Sequence, residues 1–214
     1  PHLKGRVFVA AINGPKGTVV GGDREIIQTW LSRLSAQNIF CRELNITEAY
    51  HTPLIGRYRN RFYKNVKQLK SVKAKTPIYS AMHGREAGHL DLDISYWMDH
   101  FIWPVRFYHA IRAMVEDGFN VFVELSTHPV LVPAIEGVLK EYDVDGEVFG
   151  CLKKEEPDME MFEQCYRRLD SIVRGDVVVP ETVRLEEPAD AGSVRHRVQL
   201  LDVIRDSMKE VSGG

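Results

Sequence analysis

Asn120 to Leu125 reads NVFVEL and runs straight into STHPVLVPAIEGVLKE, Ser126 to Glu141. The first six residues are a near-continuous run of strand formers, the pattern of a strand buried on both faces of a parallel sheet. The next stretch turns at a proline, and its apolar spacing predicts a returning helix from Pro129 to Glu141. A strand followed by a returning helix is the unit of α/β architecture. Working upstream, Pro104 opens a helix that runs to Asp117, with Gly118 as its cap. Before it come a helical turn at Ile94 to Phe101, a Gly-containing turn region from His83 to Leu92, and a short strand at Pro77 to Ala81. Downstream, Val148 to Leu152 is expected as a strand and Met159 to Val173 as a helix. Asp176 to Gly192 then becomes Pro-rich and acidic, which marks a domain boundary. Val198, Leu201, Ile204 and Met208 line one side of a final helix.

The N-terminal segment has a different pattern. Arg6 to Asn13 (RVFVAAIN) and Thr18 to Gly21 (TVVG) flank a Gly/Pro turn and predict a β-hairpin. Asp23 stands where an N-cap belongs, ahead of a helix whose apolar positions Ile26, Ile27, Trp30, Leu31 and Leu34 share one face. A third strand is expected at Ile39 to Leu44. Strand, strand, helix, strand is most of a split βαβ sandwich without its first elements, so the chain reads as starting inside a domain. From Leu54 to Leu69, Ile55, Tyr58, Phe62, Val66 and Leu69 predict one long amphipathic helix. The resulting division is 1–50, 51–175 and 176–214.

Composition narrows the class. The 214 residues are 44% hydrophobic and 27% charged, with a formal net charge of −2. These values describe a globular protein without a global reason to bind nucleic acid or anionic membrane. No window has the roughly 18 uncharged apolar residues of a membrane helix, and the first residues lack a signal-peptide design, so a cytoplasmic location is the expectation. Cys41, Cys151 and Cys165 form no C-x-x-C pair; they suggest neither a disulfide framework nor a metal site and read as reduced, semi-buried thiols.

Four segments, in order, resemble the acyltransferase domains of polyketide and fatty-acid synthases. They are AAINGPKGTVVGGD (Ala10 to Asp23), AYHTP (Ala49 to Pro53), YWMDHFIWPVRF (Tyr96 to Phe107) and VFVELSTHPVL (Val121 to Leu131). The resemblance spans most of residues 7 to 175. It implies an α/β-hydrolase-like core carrying a ferredoxin-like small subdomain, of which residues 1–50 would be the latter half and 51–175 the C-terminal part of the core. It also implies transfer of an acyl unit from coenzyme A to the phosphopantetheine of an acyl carrier protein, through a serine ester. Coenzyme A is then a thioester substrate, and no cofactor or metal is needed.

By that resemblance His51 is the general base, since a serine hydroxyl needs one within hydrogen-bond reach at neutral pH. A plain surface or core histidine at a strand-to-helix junction is the alternative. The family's Gly-His-Ser-x-Gly elbow is absent, because no serine here has flanking glycines, and the family's carboxylate-clamping arginine also falls upstream. The nucleophile must come from elsewhere, from the N-terminal half of an acyltransferase. A base histidine needs its second ring nitrogen held. The resemblance gives that task to a backbone carbonyl at His100, where the family carries Asn or Gln; a solvent-facing helix-end histidine is the other reading.

Tyr50 precedes His51 at a position that tracks the acyl unit, bulky with malonyl and small with methylmalonyl, so malonyl-CoA is favoured. Glu48 departs from the aromatic or histidine usual at its place, and its carboxylate would repel an anionic substrate unless turned away. Asn13 resembles a cavity-lining residue, although an Asn-Gly turn also accounts for it. His128 reads as a brace for the turn before Pro129. Between Arg57 and Lys75 there are eight basic and no acidic residues. Arg57, Arg61 and Lys64 are candidates for steering coenzyme A phosphates or an acidic carrier protein, unless this face is simply solvated and balanced by the acidic C-terminal stretches. The competing function is a non-catalytic carrier-protein or domain-docking module. No nucleic acid and no membrane is expected as partner.

Overall fold

The computed structural model describes residues 6–176, without the side chains of residues 89 and 90. The linker and terminal helix expected beyond residue 176 lie outside the described residues. Among the described residues the fold is mixed α/β with three two-stranded sheets.

The hairpin forms where the sequence indicates it. Strands β1 (Val7–Gly14) and β2 (Gly17–Gly22) pair antiparallel across the Gly/Pro turn. Asp23 accepts from the N–H groups of Glu25 and Ile26 and so caps α1 (Arg24–Ala36). Arg6 pairs with the same carboxylate and, with the cap, holds its pKa below the usual value. Val7, Ile26 and Trp30 bury against one another and fasten α1 to the hairpin.

The stretch after α1 departs from expectation. Ile39–Leu44 is not a strand; the Ile39 N–H bonds back to Leu34 O, and Phe40 is 91% exposed. A strand persists only where a neighbour completes its ladder, and no described segment pairs with this one. The long helix expected from Leu54 is also broken. Pro53–Tyr58 is a 3₁₀ turn and α2 covers only Arg59–Val66. Thr52 explains the break: fully buried, it caps the 3₁₀ turn through Leu54 N–H and donates to Ala49 O at 2.6 Å.

Strands β3 (Ile78–Ser80) and β4 (Arg85–Ala87) form a small hairpin. The sequence reading treated β4 as turn. Gly84 makes the connection possible, because at φ +70° a side chain is strained and a Cβ there would lie 2.6 Å from His109 Cβ. Helices α3 (Ile94–His100) and α4 (Phe107–Glu116) follow. Then β5 (Val121–Glu124) pairs parallel with β6 (Glu147–Gly150) around α5 (Val132–Glu141), and α6 (Asp158–Arg174) ends the described chain. The apolar face of α4 packs on α5 and β5 through Tyr108, Ile111, Val115, Phe122, Ile135, Val138 and Leu139. The hairpin joins this core through Ile12, and its backbone bonds Val105 on both sides (Ile12 N–H to Val105 O, 2.8 Å; Val105 N–H to Ala10 O, 2.9 Å).

β5 is packed on both faces, less completely on the side of Val121 and Val123. Phe122 and Glu124 are buried, while Val121 and Val123 are half-buried and pack on the cluster beneath α6. Glu124 is the unexpected core residue. Its carboxylate accepts from Val130, Leu131 and Val132 N–H at 2.8 to 3.1 Å and from the Ser126 hydroxyl at 3.0 Å. These are the unpaired donors at the start of α5, which favours negative charge there.

Candidate active site

The AYHTP turn is anchored from below. Thr52 and Ile55 are among the most buried side chains, and Gly21 of β2 leaves just enough room for Ala49 and Thr52. Between these anchors His51 takes a left-handed backbone conformation, φ 59°. For a residue with a Cβ that geometry costs on the order of 1–3 kcal/mol, and such strain collects at functional sites. It lifts the ring toward α3, where Nδ1 lies 3.0 Å from His100 O. A carbonyl only accepts, so Nδ1 carries the proton and Nε2 holds the free lone pair.

His100 contributes more than its carbonyl. Its ring stands edge-on to that of His51 at 5.5 Å, with Tyr96 and Trp97 on its other sides. The helix-end histidine is therefore half-buried rather than solvent-facing. Burial, and to a lesser degree the neighbouring His51, lower its pKa. Tyr96 is itself fixed by a buried contact of its hydroxyl with Ser80 at 3.0 Å.

The Glu48 carboxylate is paired. Arg57 binds it at 2.6 Å and the Tyr58 hydroxyl donates at 3.3 Å, while the Arg57 guanidinium lies over the Tyr58 ring. The bond to Glu48 raises the Arg57 pKa further. Tyr50 is half exposed beside His51. The basic helix borders the site, since Phe62 of α2 stacks on Phe101 and Arg59 approaches Asp99 at 3.8 Å. Arg61 and Lys64 are exposed on it.

The structure thus gathers Glu48, Tyr50, His51, Arg57 and His100. Asn13 stands near the end of β1, with its Cβ beside Gly17 at the hairpin turn, and is not among them. His128 sits apart: Nδ1 accepts from Lys154 N–H at 3.4 Å, and its carbonyl lies 2.8 Å from the Ser126 hydroxyl, whose one proton it shares with Glu124, a bracing arrangement. Sequence reasoning missed Glu124, although an acid inside an apolar strand eight residues before a helix start was a visible signal.

Comparison with known proteins defines the class. The acyl transferase domain profile matches residues 3–173, and the chain belongs to that family. More particularly it is an acyltransferase domain of the polyketide synthase kind. It is 34% identical over 152 residues to polyketide synthase GfsE of Streptomyces halstedii and 31% identical over 159 residues to erythronolide synthase EryA2 of Saccharopolyspora erythraea. These matches cover 71% and 73% of this chain but only 4% of either relative. Among solved structures, a loading acyltransferase from the avermectin modular polyketide synthase superposes with a TM-score of 0.71 at 27% identity, over 77% of this chain and 51% of that one. The acyltransferase domain from module 8 of the salinomycin polyketide synthase gives 0.72 at 26% identity, over 76% and 38%. Among the described residues no helix is long and apolar enough to cross a membrane.

Proposed function

We propose that this chain is the base-bearing part of a polyketide synthase acyltransferase that moves a malonyl-type unit from coenzyme A to a carrier protein's phosphopantetheine thiol. The observation that carries the reading is His51, strained into a left-handed conformation and bonded through Nδ1 to His100 O at 3.0 Å. The serine comes from outside these 214 residues, since none within them has an elbow's flanking glycines. On that reading the residues form the latter half of a ferredoxin-like subdomain and part of an α/β-hydrolase-like core, in a cytoplasmic synthase.

The chemistry follows from the free lone pair on Nε2. It takes the proton of the incoming serine hydroxyl as the oxygen attacks the thioester carbonyl. The tetrahedral intermediate collapses, the C–S bond breaks, and the imidazolium returns its proton to the departing thiolate of coenzyme A. In the second half the carrier's thiol gives its proton to Nε2 while its sulfur attacks the serine ester, and the imidazolium then reprotonates serine. His100 O holds the ring throughout and stabilises the imidazolium. Tyr50 fills the space next to the acyl α-carbon, which favours malonyl. Glu48 is compatible with an anionic substrate because Arg57 neutralises it. Arg57 is thereby occupied, and steering of phosphates or an acidic carrier falls to Arg61 and Lys64.

Mixing malonyl-CoA and holo carrier protein with this chain, alone and joined to a serine-bearing half, tests the reading by intact mass. Malonyl-carrier is expected only with the joined protein. A malonyl ester on the isolated chain contradicts the missing-nucleophile reading, and carrier binding without transfer in the joined protein favours the docking module.

A further inference from the structure

Cys151 and Cys165 are 14 residues apart and belong to different elements, and the acyl-transfer chemistry uses neither. Cys151 follows β6, where its N–H bonds Glu124 O at 3.0 Å, and Cys165 lies on the inner face of α6. Both are free thiols and both are buried. Their sulfurs are 2.7 Å apart. That is inside the roughly 3.5–4.0 Å of optimal contact between non-bonded heavy atoms.

The surroundings hold this approach in place. Phe149, Val121, Val123, Leu152, Leu169 and Ile172 enclose the pair. One turn along α6, Arg168 pairs with Glu147 and lies over the Phe149 ring at 4.4 Å, two contacts that tie the helix to β6. From 2.7 Å the sulfurs have roughly 0.65 Å left to close to reach the roughly 2.05 Å of a disulfide bond. Cys41, the third thiol, lies elsewhere, with its Sγ 3.7 Å from Leu31 O of α1.

We propose that Cys151 and Cys165 form an oxidisable dithiol site, which a hydroperoxide converts into an intramolecular disulfide that locks α6 onto β6. One sulfur, as thiolate, attacks an oxygen of hydrogen peroxide and breaks the O–O bond. It becomes a sulfenic acid, and the departing hydroxide takes up a proton to leave as water. The second sulfur then attacks the sulfenic sulfur, the S–O bond breaks, and the oxygen leaves as a second water. Two electrons pass from the sulfurs to one peroxide. Burial first, and the contact with Cys151 second, push the Cys165 thiol up to about 11, partly countered by Arg168, so the first step is slow at neutral pH. Because the second sulfur is already in contact, the sulfenic acid is consumed before it oxidises further.

The test treats this chain with hydrogen peroxide, quenches it, unfolds it, labels free thiols with N-ethylmaleimide and measures intact and peptide masses. The expected product is lighter by about 2 Da. It takes up a single maleimide, on Cys41, and yields one linked peptide pair containing Cys151 and Cys165 that reductant separates. Cys41→Ser is expected to form the same link, whereas Cys151→Ser and Cys165→Ser lose it. The oxidised form is expected to melt about 5–10 °C higher, from the closed loop. Oxygen additions at Cys151 or Cys165 without the loss of two hydrogens, three maleimides on peroxide-treated protein, or a link through Cys41 would each overturn the proposal.

Discussion

Replacing Glu124 by glutamine keeps the side chain's size and removes its charge, and the structure gives the cost bond by bond. In the native protein Oε2 accepts from Leu131 and Val132 N–H at 2.8 and 3.1 Å, and Oε1 from Val130 N–H and the Ser126 hydroxyl, both at 3.0 Å. A glutamine oxygen can serve the first pair. Its NH₂ group then faces the second, where the hydroxyl can rotate to accept but the Val130 N–H has no acceptor. One unsatisfied, part-buried donor costs about 1–3 kcal/mol, and two bonds that lose charge assistance cost about 1 kcal/mol each. The expected loss is about 3–5 kcal/mol near pH 7, a large share of the roughly 5–15 kcal/mol of a typical domain. The difference should also depend on pH. Burial alone would raise the Glu124 pKa, but the four donors outweigh it and leave it below 4.5. Its contribution is complete above pH 4.5 and is lost as the pH falls through the lower folded value. Urea unfolding followed by circular dichroism at neutral and acid pH measures both effects. A glutamine variant within about 1 kcal/mol of the native chain near pH 7, or a gap unchanged in acid, would refute the reasoning.

Other expectations address the site. Tyr50→Ser in the joined protein opens space beside the acyl α-carbon, and the malonyl-to-methylmalonyl ratio of competing self-acylation should fall at least about tenfold; an unchanged ratio removes Tyr50 from substrate choice. The His100→Asn variant keeps the carbonyl that holds His51, so acylation should survive. Its stability should respond differently to pH. Because the folded-state pKa of His100 lies below 6.5, the unfolded chain binds the extra proton first, and native stability falls as pH drops below 6.5. The asparagine variant lacks that loss, so melting curves of the two proteins should draw together or cross between about pH 7 and 5, and parallel curves would sink the argument.

Much of the fold was legible because it is local. Asp23 before the Ile26–Trp30 face, the Gly/Pro turn after Asn13, and the run from Val121 each carry their own signal, and the elements stand within a few residues of expectation. Errors came where a tertiary partner decides. Ile39–Leu44 has strand composition but no described partner, and the helix after Pro53 breaks because Thr52 spends its hydrogen bonds on the His51 turn. The Cys151–Cys165 contact is invisible in spacing for the same reason. His51 and His100 are 49 residues apart, and only the family resemblance connected them before the geometry did. The ion pair of Glu48 with Arg57 could have been suspected from its nine-residue separation across a turn, but not its direction.

On the proposed function, His51, held by His100 O, acts as the base for a serine supplied from outside this chain. Rapid-quench measurement of malonyl transfer onto that serine, in the joined protein with and without His51→Ala, tests it most directly. The expected result is a fall of about 10²–10⁴ in the single-turnover acylation rate at neutral pH, with malonyl-CoA still bound. A variant that acylates at the native rate would contradict it.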